Sequence, residues 1–316
     1  MRRIGYQIRD VYNRPHEDEL AGHLERGYGI QATATRLDAG TVRIAHPAGP
    51  PWVARLFIKD RPLERARDDA ACLAFLEQLG FPAERIAHAV PVTELGEQAV
   101  LVTLFESGTR PANTPATRRK LGSTIGKLAT LPLDSGAPLR RAGSLHHLAS
   151  FEGSPSQDIA AARGLLEDLA GRVPPAYRHV HDVLLELIPR ADGGEGLPEA
   201  LIHPDPVRSN ALATADGLRL IDWTGAGRGP RAASLAALLD AMGPRNAPDV
   251  IAGYQGYVTL TDEELDRLEG MLWIRPLWMA CWNLWLSSVS KTVNRASIPE
   301  AERIRAIATS VRDACR

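Results

Sequence analysis

The spacing of apolar positions changes character along the chain, and each change predicts an element. Residues 16–26 (HEDELAGHLER) read as a short helix that stops at Gly27. Alternating β-rich runs follow at Ile30–Leu37, Thr41–His46 and Trp52–Phe57, separated by Asp38-Ala39-Gly40 and by Pro47-Ala48-Gly49-Pro50-Pro51. Those separators have turn composition, so three consecutive antiparallel strands are expected. Leu63, Ala66, Ala70, Leu73, Leu76 and Leu79 then recur at three- and four-residue steps, an amphipathic helix ended by Gly80. Val90–Leu95 and Gln98–Phe105 predict a second hairpin across Gly96-Glu97, which completes a sheet of about five strands before Glu106-Ser107-Gly108 breaks the pattern.

Beyond residue 114 the period is mostly helical: 114–130, 157–170, 175–189, 230–242, 247–258, 262–289 with a disturbance near Pro276, and 298–314. One interruption stands out. Ala211-Leu212-Ala213 and Leu218-Arg219-Leu220-Ile221 flank Ala215-Asp216-Gly217, the composition of a β-hairpin turn. Folding back there returns Asp222 beside Asn210, with Asp205 on the loop just before. Two carboxylates and a carboxamide in one small volume call for a cation, and magnesium with a phosphate-bearing substrate fits oxygen donors of this kind.

Composition narrows the class. A chain of 316 residues with 44% hydrophobic content can bury a sizeable core, and a net charge of −1, with 37 basic and 38 acidic residues interspersed, lacks the footprint of a nucleic-acid binder. Cys72, Cys281 and Cys315 are too widely spaced for a disulfide framework or a zinc cluster, so a cytoplasmic setting is expected. The N-terminal stretch has no signal-peptide apolar run, and Met271–Val289 is broken by Arg275, Pro276 and Asn283, which argues against a membrane span.

His203-Pro204-Asp205-Pro206-Val207-Arg208-Ser209-Asn210, followed by Ile221-Asp222-Trp223, resembles the catalytic loop and metal-binding aspartate of the aminoglycoside phosphotransferase and choline kinase superfamily. The resemblance implies an α+β, two-lobed protein-kinase-like fold. An N-terminal nucleotide-binding lobe (1–106) would carry an antiparallel sheet plus helix, and a mostly helical C-terminal lobe (107–316) would carry the catalytic hairpin and bind substrate. It also implies transfer of the γ-phosphoryl group of ATP or GTP to a hydroxyl of a small molecule. Asp205 would be catalytic, and Asn210 and Asp222 would hold Mg2+. Gly225-Ala226-Gly227-Arg228-Gly229-Pro230 corresponds to a glycine-rich connection leading into a helix. The sequence departs from the family pattern at Pro204, where relatives carry glycine, and at Ser234, where many carry aspartate.

The same resemblance assigns nucleotide contacts. Arg55 stands where the third strand normally presents a lysine to the phosphates, and arginine can grip phosphate with two bonds. A helix carboxylate should orient it; counting along the helix gives Asp69, with Asp68 and Glu64 as rivals. Ala39, Gly40 and Thr41 would cover the phosphates, and the backbone from Thr103 through Phe105 to Glu106 would meet the base. Trp278, Trp282 and Trp285 share a helix face, read either as core or as an acceptor-pocket wall. Thr261-Asp262-Glu263-Glu264 reads as a capping box, or else as an acidic wall for a cationic substrate. His146-His147, His179 and His181 read as solvated rather than metal-binding. Antibiotics, choline-like amino alcohols, sugars and amino acids all stay open as acceptors, and antibiotic resistance is a possible role. A kinase-like binding module without catalysis is the alternative; a metal hydrolase built on His203 and Asp205 lacks the further histidines it needs.

Overall fold

The structure, a computed structural model, describes residues 17–38, 40–59, 61–133, 140–143, 153–289 and 296–316. His16, Ala39 and the pair His146-His147 lie outside them. Helix α1 (Glu17–Tyr28) opens with three acidic residues facing its own amide ends and runs past Gly27. The stop is at Gly29, whose positive φ of 66° and amide bond to the Glu25 carbonyl close the last turn. Strands β1 (Thr33–Arg36), β2 (Thr41–Ala45) and β3 (Trp52–Leu56) follow, then helix α2 (Leu63–Gln78) and the hairpin of β4 (Val92–Leu95) and β5 (Gln98–Leu104). The five strands form an antiparallel sheet in the order β1-β2-β3-β5-β4.

Alternation along β3 sends Trp52, Ala54 and Leu56 to the face covered by α1, where they join Leu20, Leu24, Val42, Ile44, Val100 and Val102 in a small core. Arg55 faces the other way. In register with Thr41, it points toward the helical half of the molecule.

The second half contains α3 (Pro115–Leu128), α4 (Pro155–Leu169), α5 (Arg178–Leu187), α6 (Ala232–Met242), α7 (Ala247–Tyr254), α8 (Asp262–Leu272), α9 (Ile274–Val289) and α10 (Ala301–Cys315). The helix expected over 262–289 is two helices. It breaks at Trp273, and Pro276 falls harmlessly in the first turn of α9, where its missing N–H is not needed. Thr261 and Glu264 do form a capping box.

Four short strands are set among these helices. β7 (Ala211–Thr214) and β8 (Gly217–Leu220) are the expected hairpin, while β6 (Glu199–Ile202) pairs with β9 (Gly227–Pro230). The glycine-rich stretch after Asp222 is therefore first a strand, and the helix starts at Ala232. Gly227 is required there because a Cβ would strike the Arg140 carbonyl.

The main apolar core is continuous between the halves, since Leu73 and Leu76 of α2 join the same cluster as Leu121, Leu201, Leu220, Trp223 and Leu235. The β7–β8 hairpin is also stitched to chain on both sides. Thr109 exchanges two backbone bonds with Ala213, and the Pro82–Glu84 segment pairs with Leu220. Among the described residues no helix is long and apolar enough to cross a membrane.

Candidate active site

Strand β6 delivers His203 into the interior, where it is fully buried. Its backbone is clamped by Ser234 of α6, whose hydroxyl accepts from the His203 amide and donates to the His203 carbonyl, both at 2.9 Å. Ser234, at the position where the resemblance implies aspartate, thus ties α6 to this backbone through one hydroxyl. The imidazole Nε2 pairs with the Ile221 carbonyl at 3.1 Å and Nδ1 accepts the Asp205 amide at 3.1 Å. Both bonds suit a neutral ring protonated on Nε2, and burial pushes the His203 pKa below its ordinary 6.5. The backbone donor used here belongs to Asp205, so the amide lost at Pro204 is not missed.

The chain then makes a 3₁₀ turn over Arg208–Asn210. Asn210 Nδ2 donates to the Asp205 carbonyl at 2.9 Å and to Asp205 Oδ2 at 3.2 Å, while the Asn210 carbonyl accepts the Ile221 amide at 2.9 Å. The fold-back thus brings Asn210, Asp205 and the residue before Asp222 into one hydrogen-bonded unit. Asp222 itself has φ +66°, the only positive φ outside glycine among the described residues. Aspartate tolerates this left-handed conformation at some cost, and such strain tends to sit where it aims a side chain at chemistry.

That carboxylate meets Arg55 in an ion pair, and Arg55 also donates to Thr224 Oγ1 at 3.4 Å. The other acid near Arg55 is Glu84, at 3.9 Å. Glu84 Oε1 accepts the amides of Asp222 (2.9 Å) and Trp223 (3.4 Å), and Oε2 accepts the Thr103 hydroxyl at 3.2 Å. Burial opposes the charge of Arg55, yet Asp222 and Glu84 together hold its pKa above the ordinary arginine value. Burial raises the Glu84 carboxyl, with Arg55 pulling the other way. Burial also opposes ionisation of Asp222, but Arg55 wins and its carboxyl titrates below the usual range.

The expected pairing of Asp69 with Arg55 is incorrect, and neither rival on α2 replaces it. Glu64 pairs with Arg67, Asp68 lies near Arg140, and Asp69 is taken by two other arginines: Arg61 at 2.6 Å and Arg140. Asp69 Oδ1 also accepts the Gly225 amide at 3.1 Å. The helix acid therefore anchors the loop after Asp222, and Glu84, six residues beyond the helix end, is the acid that faces Arg55.

Two further expectations need revision. Gly40 and Thr41 do line the same cavity as Arg55, but the Gly40 amide bonds to Asp38 Oδ1 at 2.8 Å. The amides of Leu104 and Phe105 bond to the carbonyls of Arg85 and Pro51, both at 2.8 Å, so they cannot donate to a base. Thr103 is buried and serves Glu84, and the Phe105 ring lies under Arg43 with 4.8 Å from guanidinium to centroid.

Asp205, Asp222 and Arg55 open onto a cavity of about 580 Å³ between the sheet and the helices. Trp278 and Trp282 line its far wall; Trp285 is buried behind them and donates to Asp168 Oδ2 at 3.0 Å. The stripe is thus wall and core at once. Arg275, from the first turn of α9, reaches Asp205 Oδ1 with Nε at 3.0 Å and Asp240 Oδ2 with Nη1 at 3.2 Å. Arg303 holds the other Asp240 oxygen at 2.7 Å. Glu264, once a candidate for an acidic wall, is buried against Arg231 instead.

Among the described residues no group of three or more His, Cys, Asp or Glu side chains is arranged to hold a metal. The donor set suited to a metal here is the Asp222 carboxylate with Asn210 Oδ1, hard oxygen ligands appropriate to Mg2+ when phosphate oxygens complete the shell. Glu84 carries no signal in the sequence, and no site role is expected there for Arg275. The broken apolar run at Arg275 was the one visible signal, a charge placed in a helix otherwise rich in tryptophan.

The arrangement has known counterparts. The model of the phosphotransferase enzyme family matches residues 30–270. Among solved structures, amicoumacin kinase hAmiN in complex with AMP-PNP, Ca2+ and Ami aligns over 96% of both chains at 12% identity with a TM-score of 0.63. Choline kinase LicA from Streptococcus pneumoniae aligns over 94% of this chain and 99% of its own at 16% identity and a TM-score of 0.59. Macrolide 2'-phosphotransferase type I aligns over 95% and 96% at 15% identity and a TM-score of 0.54. No curated protein matches the sequence. The clamped His203–Asn210 loop, strained hairpin aspartate and strand arginine thus sit within a kinase-like fold, and the chain belongs to the phosphotransferase enzyme family.

Proposed function

We propose that the protein transfers the γ-phosphoryl group of ATP or GTP to a hydroxyl of a small molecule, with residues 1–106 holding the nucleotide and 107–316 the acceptor. The observation that carries this reading is the opening of Asp205 and Asp222, set at the two ends of one fold-back, onto the cavity that Arg55 also lines. Asp205 takes the proton as the acceptor oxygen forms its bond to the γ-phosphorus and the bond to the β-phosphate oxygen breaks, releasing the nucleoside diphosphate. Asn210, bonded to both the carbonyl and the carboxylate of Asp205, fixes that acid's position. Arg275 limits its rotation by donating to Oδ1. Arg55 binds phosphate oxygens, with Glu84 behind it keeping the guanidinium in place. Asp222 and Asn210 would hold Mg2+, which when bound neutralises charge on the phosphates. A structural neighbour solved with AMP-PNP and Ca2+ supports a nucleotide and a divalent ion as ligands.

Asp205→Ala should abolish transfer, read as nucleoside diphosphate release, while calorimetry finds nucleotide affinity nearly unchanged. Equal turnover by this variant rejects the assignment. The Asp38 carboxylate on the Gly40 amide favours a second reading, a nucleotide-binding protein without turnover, because an acid already fills a place meant for phosphate. Thermal stabilisation by nucleotide and Mg2+ without consumption across a hydroxyl-compound panel would select that reading.

A further inference from the structure

The acceptor end of the cavity differs in chemistry from its transfer end. Trp278 and Trp282 stack with ring centroids 6.1 Å apart and planes 24° from parallel, and Trp285 continues the stack behind them at 6.0 Å and 18°. Ile274, Met271 and Met279 extend the same wall. Rings stacked on one another turn their faces to each other, so the wall they offer the cavity is a continuous apolar ridge. They do not turn their faces toward a common point, which is what a cage for a quaternary ammonium needs.

Charge points the same way. Of the carboxylates among the described lining residues, Asp205 is paired with Arg275, Asp222 with Arg55, and Asp38 is turned to the Gly40 amide. Asp158, the remaining one, is buried at 5%. A polycationic acceptor would need several acids without arginine partners along this wall. It would meet a guanidinium instead, because Arg275 lines the cavity and is bonded to Asp205.

Building on the phosphotransfer reading, we propose that the acceptor is an uncharged, ring-bearing apolar alcohol. Its ring lies along Trp278 and Trp282 and its hydroxyl reaches Asp205, while Arg275 disfavours cationic acceptors. The cavity of about 580 Å³ is shared with the end lined by Gly40, Thr41 and Arg55, so the acceptor occupies only the part beside the tryptophans.

The test uses the full chain and three probes: 2-naphthalenemethanol, choline and an aminoglycoside. With ATP and Mg2+, the naphthyl alcohol should be phosphorylated with at least tenfold higher kcat/KM than either cation. Trp278→Leu and Trp282→Leu, which stay apolar but remove the indole rings, should raise its KM at least tenfold with nucleotide affinity within about twofold. Arg275→Gln should narrow the preference against choline. Calorimetry of the naphthyl alcohol, without nucleotide, on the wild type and on Asp205→Asn should find similar affinities in both. Turnover of choline or the aminoglycoside with no binding of the naphthyl alcohol overturns the acceptor class and leaves phosphotransfer standing. Binding of the naphthyl alcohol with no nucleotide consumed for any probe keeps the pocket assignment and sinks the phosphotransfer reading. Unchanged KM in both tryptophan variants also overturns the proposal.

Discussion

Asp69 and Asp222 both face arginine, and they do opposite jobs. Asp69 on α2 is 1% exposed at its side chain and is shared among Arg61, Arg140 and the Gly225 amide, a cluster closed by protein alone. Asp222 at the end of β8 is 42% exposed, sits at a positive φ, and has Arg55 on one side and the cavity on the other. The difference lies in leftover bonding capacity. An acid whose oxygens are all claimed inside the protein holds a loop in place, and one with an open edge can take a ligand.

Exchanging the two should break this contrast in opposite directions. Asp222→Asn is expected to cut transfer at least about 10³-fold, roughly 4 kcal/mol of barrier, because the carboxylate proposed to hold Mg2+ against the phosphates loses its charge. Its urea midpoint should barely move, as a half-exposed ion pair adds at most about 1 kcal/mol. Asp69→Ala should instead cost about 3–5 kcal/mol of folding stability by stranding buried arginine charge. Should Asp69→Ala leave the urea midpoint in place while nucleotide affinity collapses, the two roles have been assigned the wrong way round.

Smaller effects sharpen the picture around Arg55. Glu84→Gln keeps the shape but removes the charge behind the guanidinium. It should lower kcat/KM about tenfold, about 1.4 kcal/mol, with the loss in nucleotide KM. The smallest effect is in pH. Burial lowers the His203 pKa below 6.5, so the unfolded chain binds a proton that the folded chain refuses. The stability linked to this ring is fully present above about pH 6.5 and is lost as pH falls toward the lower folded value. Denaturant titrations from pH 7.5 to 5.5 should give a slope that is shallower in His203→Gln, and an unchanged slope counts against a neutral buried ring.

How much of this was legible follows from sequence distance. Asp205, Asn210 and Asp222 lie within eighteen residues and one turn signal, so a local fold-back sufficed to gather them. The five-strand sheet was readable for the same reason, through alternation and turn composition. Glu84 reaches Asp222 across 138 positions and Arg275 reaches Asp205 across 70, with no local pattern to announce either. Asp69 was misassigned because helix spacing shows which residues share a face but not which arginine competes for them. Arg61, eight residues earlier, won that competition. The boundary between α8 and α9 slipped because apolar spacing runs straight through Trp273, while Pro276 drew attention to the wrong residue.

The hairpin that ends in Asp222 is flanked by Thr109 on one side and Pro82–Glu84 on the other. Swinging the two halves apart as rigid jaws would tear this seam along with the shared core. The groups proposed for transfer are therefore tied to one continuous seam, which holds their spacing without help from a bound substrate.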